Sequence, residues 1–243
     1  MVTERSRLNV AIIAELGRNL VATVMSFIYA IGDVHGSLHK LRTLIARCRR
    51  HADGQPMTFV FLGDYIDRGP QSADVVDYVI ELQSQLHERV IALKGNHEAF
   101  VLGIIDGATS AQSWLAQGGM ATLGSYGATG VGELPREHVD WLRALRLSHD
   151  DGRRFFVHAG IDPQKPLDAQ GEDDMLWIRE PFLSDGREYG RLVVHGHTPV
   201  ENGMPDLRSN RLNLDTGAVF GGPLTAAVFA AAQTQPIAFL QAG

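Results

Sequence analysis

Polar residues with metal-binding side chains follow the short apolar segments of this sequence, mostly inside glycine-bracketed loops. Examples of these loops are GDVHG (32–36), GDYIDRG (63–69) and GNHE (95–98). The candidate side chains are Asp33, His35, Asp64, Asn96, His97, His158, His195 and His197. Carboxylate, amide and imidazole donors together suit one or two divalent transition metal ions, whereas calcium prefers oxygen donors alone. A cysteine-rich structural zinc site is excluded, because the sequence has a single cysteine.

A phosphate ester is the substrate that this set of residues favours. Two ions about 3.5–4 Å apart can ionise a bridging water for attack on phosphorus, and Asp64 is the natural shared carboxylate. Arg68, in the same loop, and Arg179, in MLWIREP (175–181), have guanidinium groups that can bind two phosphate oxygens at once. Taken alone, Arg179 is also typical of an ordinary surface residue.

The segment LVVHGHTPV (192–200) contains two histidines separated by one glycine, and their spacing alone does not say which one binds metal. The apolar run continues into His195 as a predicted strand, while Gly196 ends it and places His197 on the following loop. We therefore predict that His197 is the ligand, and that His195 supports it or packs in the core.

The elements that must position these residues are strands followed by helices. Three apolar segments, SFIYAI (26–31), MTFVFL (57–62) and RVIALK (89–94), are each followed by a polar loop and then by a helical pattern. This order predicts neighbouring parallel strands with helices outside them, and such sheets place their sites at the carboxyl ends of the strands. The three loops should therefore meet at one edge.

The later part of the sequence predicts a helical region and a second sheet. Residues 110–150 read as mostly helical, with no periodic strand. Five later segments, RRFFV (153–157), RLVV (191–194), RLNL (211–214), LTAAVFA (224–230) and PIAFL (236–240), predict a second, more antiparallel sheet packed on the first. We expect one domain over residues 25–243 with a helical insert at about 99–150. Residues 1–24 form an extension, either an amphipathic helix or a segment that precedes a natural start at Met25.

Composition limits the class of protein. The 243-residue sequence is 44% hydrophobic and 21% charged, with a formal net charge of -6, so it offers no broad basic surface for a nucleic acid. Its most apolar segment, LTAAVFAAA (224–232), is far shorter than the roughly 18–20 residues of a membrane span. Cys48 lies on an apolar helical face and has no cysteine to pair with, which favours core packing in a reducing compartment. We expect a cytoplasmic monomer with no nucleic-acid or membrane partner.

Six motifs of this sequence resemble, in order and spacing, those of the metallo-dependent phosphoprotein phosphatase family. They are GDVHG, GDYIDRG, LKGNHE (93–98), VHAG (157–160), GHTP (196–199) and LDTGAVFGG (214–222). The resemblance runs from about residue 26 to the end and is strongest to the bacterial and phage serine/threonine phosphatases. It implies the calcineurin-like metallophosphoesterase fold, an α/β fold in which two packed mixed β-sheets are flanked by helices.

The resemblance also implies a role for each site residue. Asp33 and His35 would hold a first metal ion, with Asp64 bridging it to a second. The second ion would be held by Asn96, His158 and His197. His97 would protonate the leaving alkoxide and Asp67 would orient it, while the phosphate would be bound by Arg68, Arg179 and Asn96. The family implies manganese, with iron or zinc as alternatives.

We predict a metal-dependent phosphomonoesterase, a serine/threonine protein phosphatase, whose substrate is a phosphorylated protein or a small phosphoester. The ester would be hydrolysed in one step by a hydroxide that bridges the two metal ions, with His97 as the general acid. The main alternative is a symmetrical diadenosine tetraphosphate hydrolase, but those enzymes typically read GDLVARG and GNHD, where this chain has Asp67 and Glu98.

The eukaryotic phosphatases carry Arg-Ala-His where this chain has His195-Gly196-His197, so the short bacterial type is favoured. An inactive scaffold that binds phosphorylated partners is an alternative of another class, but no ligand residue has been lost. A nuclease would need a basic, aromatic-lined groove.

Overall fold

The structure is a computed structural model that describes residues 25–243. The helix considered for residues 1–24 lies outside the described residues. Within the described part the strands are β1 (Phe27–Ile31), β2 (Met57–Phe61), β3 (Val90–Ala92), β4 (Ser148–Asp150), β5 (Arg154–Val157), β6 (Leu192–His195), β7 (Asp206–Leu207), β8 (Arg211–Asn213), β9 (Leu224–Ala230) and β10 (Ala238–Ala242). The α-helices are α1 (Leu38–Ala52), α2 (Ser72–Leu86), α3 (Asn96–Ile105), α4 (Ala111–Trp114), α5 (Met120–Tyr126), α6 (Arg136–Ala144) and α7 (Glu172–Trp177).

The first sheet has the strand order β10-β9-β1-β2-β3. As predicted, β1, β2 and β3 run parallel, with Ile31 opposite Phe61 and Phe61 opposite Ala92. The three strands end together in this register, so the loops after them leave the sheet at the same edge. Each of these loops is followed by a helix, α1, α2 and α3 in turn.

The second sheet has the strand order β4-β5-β6-β8-β7 and differs from the prediction in two ways. Its central strands β5, β6 and β8 are parallel, and β9 and β10 are absent from it because they join the first sheet beside β1, antiparallel. The reason lies in β9, which is buried at every residue from Leu224 to Phe229 and therefore suits a central strand covered on both faces. The strand β4 also lies in the region expected to contain none, because its three residues SHD have no apolar periodicity.

The two sheets pack face to face and are covered by helices on their outer sides, which confirms the predicted fold. Ala30 and Val60 of the first sheet lie in one buried cluster with Phe156 and Val194 of the second. The other face of the first sheet packs on α1 and α2 in a larger cluster that includes Cys48, which is 0% exposed as expected. A third cluster joins the outer face of the second sheet to α7. None of the helices within residues 25–243 has the length and apolar character needed to cross a membrane.

Candidate active site

The loops that follow β1, β2, β3, β5 and β6 converge at one edge of the two sheets. Backbone hydrogen bonds join them: the N–H groups of Val34 and His35 donate to the Asp64 carbonyl at 3.1 and 2.8 Å, and the Gly196 N–H donates to the His158 carbonyl at 2.8 Å. The predicted metal ligands on these loops are all more than nine-tenths buried: Asp33, His35, Asp64, Asn96, His158 and His197.

Asp64 lies at the centre of this group. Its Oδ2 is 3.3 Å from His35 Nε2, and its Oδ1 is 3.5 Å from His158 Nε2. Two clusters of potential ligand atoms share this carboxylate, one with His35 and His97 and the other with His158 and His197, and the atoms of each cluster lie within 4.8 Å of one another. A carboxylate common to two clusters is in the position that a bridging ligand requires.

The second cluster also includes the amide oxygen of Asn96. This Oδ1 lies 2.9 Å from His158 Nε2 and 3.0 Å from His197 Nδ1. Asp33 approaches from the first loop, where its carboxylate oxygens accept the backbone N–H of His197 at 3.1 and 3.2 Å. The structure therefore brings the six predicted ligands from five loops to one edge, where Asp33 contacts the His197 backbone and is in neither of the two clusters.

Backbone carbonyls fix which nitrogen of two histidines faces the centre. His35 Nδ1 lies 2.8 Å from the Ile66 carbonyl and His158 Nδ1 lies 2.9 Å from the Leu62 carbonyl. Because a carbonyl only accepts hydrogen bonds, both Nδ1 atoms must carry the proton in the neutral ring, which leaves the Nε2 lone pairs directed at Asp64. This arrangement is typical of metal-binding histidines.

The electrostatics of the cluster fit bound cations. Burial, followed by the charges of Asp215 and Asp64, raises the pKa of Asp33 well above its ordinary value. Burial would also raise the pKa of Asp64, but the neighbouring histidines, His158 first, hold it well below its ordinary value. Burial and then the charge of His158 lower the pKa of His197 to about 3, so its ring is neutral and able to bind metal. Buried carboxylates this close together need a positive charge, and a divalent ion would supply it.

The backbone is strained at the predicted site. Left-handed φ angles between 43° and 71° occur at five of these residues: His35, Asp64, Asp67, Arg68 and His197. Other non-glycine residues with positive φ in the described chain are Asp53 and His87, which follow helix ends. Such conformations are costly for residues with side chains and cluster at functional sites. They cannot be recognised in the sequence, since none of the strained site positions is glycine.

His97, a member of the first cluster, forms a buried pair with Asp67. His97 Nδ1 lies 2.6 Å from Asp67 Oδ2, and the His97 Nε2 on the opposite side of the ring is buried without a hydrogen-bond partner among the described residues. The Asp67 carboxylate also accepts the indole N–H of Trp114 at 2.7 Å and the hydroxyl of Thr122 at 2.6 Å. Trp114 and Thr122 were not among the predicted site residues, because nothing in their spacing points to Asp67.

Glu98 holds the loop of the second motif in place. Its Oε2 accepts the backbone N–H groups of Asp64 at 2.9 Å and Gly95 at 2.8 Å, and its Oε1 accepts those of Tyr65 at 2.8 Å and Ile66 at 3.3 Å. The residue is 0% exposed. The glutamate that distinguishes GNHE from GNHD is thus long enough to bind the loop around Asp64.

The two predicted phosphate-binding arginines differ in exposure. Arg68 is half-buried, with NH1 at 2.5 Å from His35 Nε2 and its guanidinium 5.5 Å from the centre of the Phe220 ring. Arg179 is exposed after α7, and its charge contributes to the lowered pKa of His197, after burial and His158. Among residues 25–243, neither arginine forms a salt bridge with a carboxylate.

His195 differs from His197 in its surroundings. It is the last residue of β6, is 0% exposed and packs edge-on against the Phe182 ring at 5.0 Å between centroids. Its Nδ1 lies 3.1 Å from the Gly196 carbonyl, and it contributes to neither of the two clusters. The structure therefore places His195 in the core and His197 in the site.

Asp215 is a further site residue that the sequence reasoning missed. It follows β8, is 3% exposed, and its charge is the largest cause after burial that raises the pKa of Asp33. The rule that located the other residues, a polar side chain directly after an apolar strand, would have located Asp215 as well.

Comparison with known proteins agrees with this geometry. Residues 28–227 match the family described as "Calcineurin-like phosphoesterase". The chain belongs to this family. A relative named Serine/threonine-protein phosphatase 1, from Salmonella typhimurium, is 30% identical over 88% of this chain and 96% of its own length. The asymmetrical bis(5'-nucleosyl)-tetraphosphatase PrpE of Anoxybacillus flavithermus is 30% identical over 81% of this phosphoesterase and 87% of its own length.

A solved structure supports the fold of the phosphoesterase. The crystal structure of a putative diadenosine tetraphosphatase superposes with a TM-score of 0.61 at 22% identity, covering 92% of this chain and 96% of the other. At this identity the likeness concerns the fold alone. Family membership confirms the prediction of an enzyme that hydrolyses phosphate esters, and the ligand clusters of the phosphoesterase fit the metal centre that the prediction requires.

Proposed function

We propose that this phosphoesterase hydrolyses phosphomonoesters, and that its substrates are phosphoserine and phosphothreonine residues of proteins. The proposal depends on one observation, the buried His97–Asp67 pair beside the two ligand clusters. Such a pair can donate a proton to a leaving alkoxide. A serine or threonine ester needs this donation because its alkoxide is a strong base and a poor leaving group.

Six residues would hold two divalent metal ions. Asp33 and His35 would bind the first, Asp64 would bridge, and the second would be bound by Asn96, His158 and His197. When bound, the two ions would supply a strong water-derived nucleophile at neutral pH and neutralise charge on the phosphate. Manganese suits this mixture of oxygen and imidazole donors, and iron and zinc are the alternatives.

The phosphate group would be held by Arg68 and Arg179, with the Asn96 amide beside it. Free of carboxylate partners in the described chain, both guanidinium groups can bind phosphate oxygens through paired hydrogen bonds. Arg68 is the better fixed of the two, because its backbone N–H donates to the Gly118 carbonyl at 3.1 Å. Arg179, which is exposed after α7, would provide the second guanidinium group.

His97 would complete the reaction. As a water oxygen forms its bond to phosphorus, the bond to the leaving oxygen breaks and its electron pair stays on that oxygen. His97 Nε2, which faces the site without a hydrogen-bond partner among the described residues, would transfer its proton there. The products are the free alcohol and phosphate, and the imidazole is left neutral. Asp67 stabilises the charged ring before the transfer, because it accepts the Nδ1–H at 2.6 Å.

A second candidate is hydrolysis of dinucleoside tetraphosphates. It is supported by the relative named PrpE, whose name specifies the asymmetrical reaction. The motifs of this sequence differ from those of the symmetrical enzymes at Asp67 and Glu98. In that reaction the leaving group is itself a phosphate, which is a much weaker base than an alkoxide and needs little help from an acid. The well-fixed His97–Asp67 pair therefore favours phosphomonoesters.

Purified protein should be stripped of metal, reloaded with manganese, iron or zinc, and assayed on a phosphoserine peptide and on diadenosine tetraphosphate. We expect the peptide to be preferred and His97→Asn to lower its turnover by about 100-fold or more. His149→Asn is the matched control, because His149 is a half-buried histidine on β4 away from the clusters. Faster cleavage of the dinucleotide, or near-normal peptide turnover by His97→Asn, would contradict the proposal.

A further inference from the structure

Trp114 hydrogen-bonds to the carboxylate that orients His97. Its indole Nε1–H donates to Asp67 Oδ2 at 2.7 Å, and the same oxygen accepts the His97 Nδ1–H at 2.6 Å. The other oxygen, Oδ1, accepts the Thr122 hydroxyl at 2.6 Å. Trp114 and Thr122 are each 1% exposed and Asp67 is 0% exposed, so water does not compete for these bonds. Asp67 therefore has three donors from protein side chains.

The segment around Trp114 is attached to the loop that contains Asp67. A side chain at Gly119 would overlap the indole ring, so glycine there lets the backbone lie directly against Trp114. Gly118 has a φ of 109°, a conformation that favours glycine, and its carbonyl accepts the backbone N–H of Arg68 at 3.1 Å. The segment that contains the tryptophan and the Asp67 loop are thus joined directly.

Three donors fix the plane of the Asp67 carboxylate in a way that His97 alone would not. With only one hydrogen bond, the carboxylate could rotate and the imidazole could follow it. With Trp114 on one oxygen and Thr122 on the other, Oδ2 stays in place and the His97 ring is held with Nε2 facing the site. Acid catalysis depends on such alignment, because the proton must be delivered along the breaking bond.

We propose that Trp114 is a positioning residue, which fixes Asp67 and through it holds His97 in the orientation that delivers a proton to the leaving oxygen. The inference rests on the proposed function, since the role of His97 as the acid belongs to it. The helical segment 111–126, which follows α3, then contributes to the chemistry as well as to packing.

The effect of losing this alignment depends on the leaving group. The alkoxide of serine is more basic than a phenolate, whose conjugate acid has a pKa of about 10 in tyrosine, and p-nitrophenolate is less basic still. Proton donation therefore matters most for a serine ester and least for p-nitrophenyl phosphate. A general loss of structure or of metal would instead slow all substrates together.

The test is Trp114→Phe, which removes the indole N–H and keeps an aromatic ring in the core. We expect kcat for a phosphoserine peptide to fall about tenfold, kcat for phenyl phosphate to fall less, and kcat for p-nitrophenyl phosphate to stay within about twofold of wild type. Trp141→Phe is the matched control, because Trp141 also donates its Nε1–H, to Gln83 at 2.7 Å, and touches neither Asp67 nor His97. The ratios between the three substrates should not change in the control.

Two further measurements separate positioning from damage to the fold. Manganese binding by titration calorimetry should be the same in wild type and Trp114→Phe, and circular dichroism should show the same folded state. If Trp114→Phe does not fold, Thr122→Val, which removes the donor on Oδ1, should give the same order of losses, and Thr122→Ser should restore the rates.

An equal loss on all three substrates, or no loss on the phosphoserine peptide, would overturn the role of Trp114. A wild-type protein that fails to cleave the phosphoserine peptide would instead count against the proposed function. In that case phenyl and p-nitrophenyl phosphate still decide the role of Trp114, because only the positioning role predicts a larger loss for phenyl phosphate.

Discussion

Gly196, between the two histidines of the HGH segment, should not tolerate even a methyl group. A Cβ built at this position would overlap Asp33 Oδ1 and would lie 3.1 Å from Asp33 Cγ and 3.6 Å from Oδ2. The backbone here cannot easily move away, because the Gly196 N–H donates to the His158 carbonyl at 2.8 Å and the Gly196 carbonyl accepts the Thr198 N–H at 2.7 Å. In Gly196→Ala the Asp33 carboxylate must therefore move.

The size of the effect follows from the tolerance of a metal site. The overlap requires a shift of about 1 Å to restore ordinary contact distances, whereas ligand distances in metal sites vary by only about 0.2 Å. Mutation of a residue that only hydrogen-bonds to a metal ligand lowers metal affinity about 10–100-fold. Displacing Asp33 itself should therefore lower the affinity for the first ion about 100-fold or more. Overpacking should also lower the free energy of unfolding by about 1–3 kcal/mol.

Manganese titration of metal-free protein, followed by urea unfolding, measures both effects. The matched control is Gly124→Ala, because nothing lies within 4 Å of a Cβ at this helical position and alanine there should stabilise α5. We expect one tight manganese ion in Gly196→Ala and two in Gly124→Ala. Two ions with wild-type affinity in Gly196→Ala would refute the placement of Asp33 beside the first ion.

Other substitutions test separate features of the site and core. His197→Ala should reduce the manganese stoichiometry measured by calorimetry from two ions to one. His195→Ala should keep both ions and lower the free energy of unfolding by about 0.5–3 kcal/mol. Loss of an ion from His195→Ala would show that His195, and not His197, is the ligand. Phe220→Ala removes the ring 5.5 Å from the Arg68 guanidinium and should raise KM for p-nitrophenyl phosphate about two- to fivefold with little change in kcat, as expected for an exposed cation–π contact. Burial raises the pKa of Cys48 from 9.0 to about 12. The folded state thus favours the protonated thiol over the thiolate. The contribution of the buried thiol to the free energy of unfolding is complete below about pH 9 and is lost as the pH rises towards 12. At pH 8 Cys48 should react with Ellman's reagent only after unfolding in urea, and rapid reaction of the native protein would contradict its burial.

The candidate metal ligands could be expected at one edge from the sequence because their positions follow the topology of the strands. Parallel strands joined by helices end at one edge, so Asp33, Asp64 and Asn96 had to lie close together once β1, β2 and β3 were recognised. The same argument separated His197 from His195, since the strand ends between them. Asp215 follows β8 and was missed only because the rule was not applied to the last strands.

Other features depend on long-range packing that a local pattern does not contain. The segment LTAAVFA is equally apolar whether it lies in the first or the second sheet, and its place beside β1 is decided by which faces the rest of the chain covers. Trp114 ends a short helix in a region with no strand and no motif, so its apolar character suggests only packing. The direction of its N–H depends on the turn at Gly118 and Gly119, whose geometry brings together residues 47 positions apart.

The candidate metal ligands and the proposed acid therefore have different structural origins within one site. The ligand clusters are built from the ends of strands in both sheets and are fixed by the hydrogen bonds between those loops. The pair of His97 and Asp67 is held from outside the sheets, by Trp114 and Thr122 on the helical segment 111–126. If His97 is the acid, as proposed, we expect changes in that segment to alter proton delivery, and with it the preferred leaving group, while the candidate metal ligands stay in place. The names of the phosphatase and the tetraphosphatase indicate that proteins similar to this chain differ in substrate. The sequence of the segment that contacts Asp67 should consequently distinguish cleavage of esters from cleavage of anhydrides better than the metal motifs do.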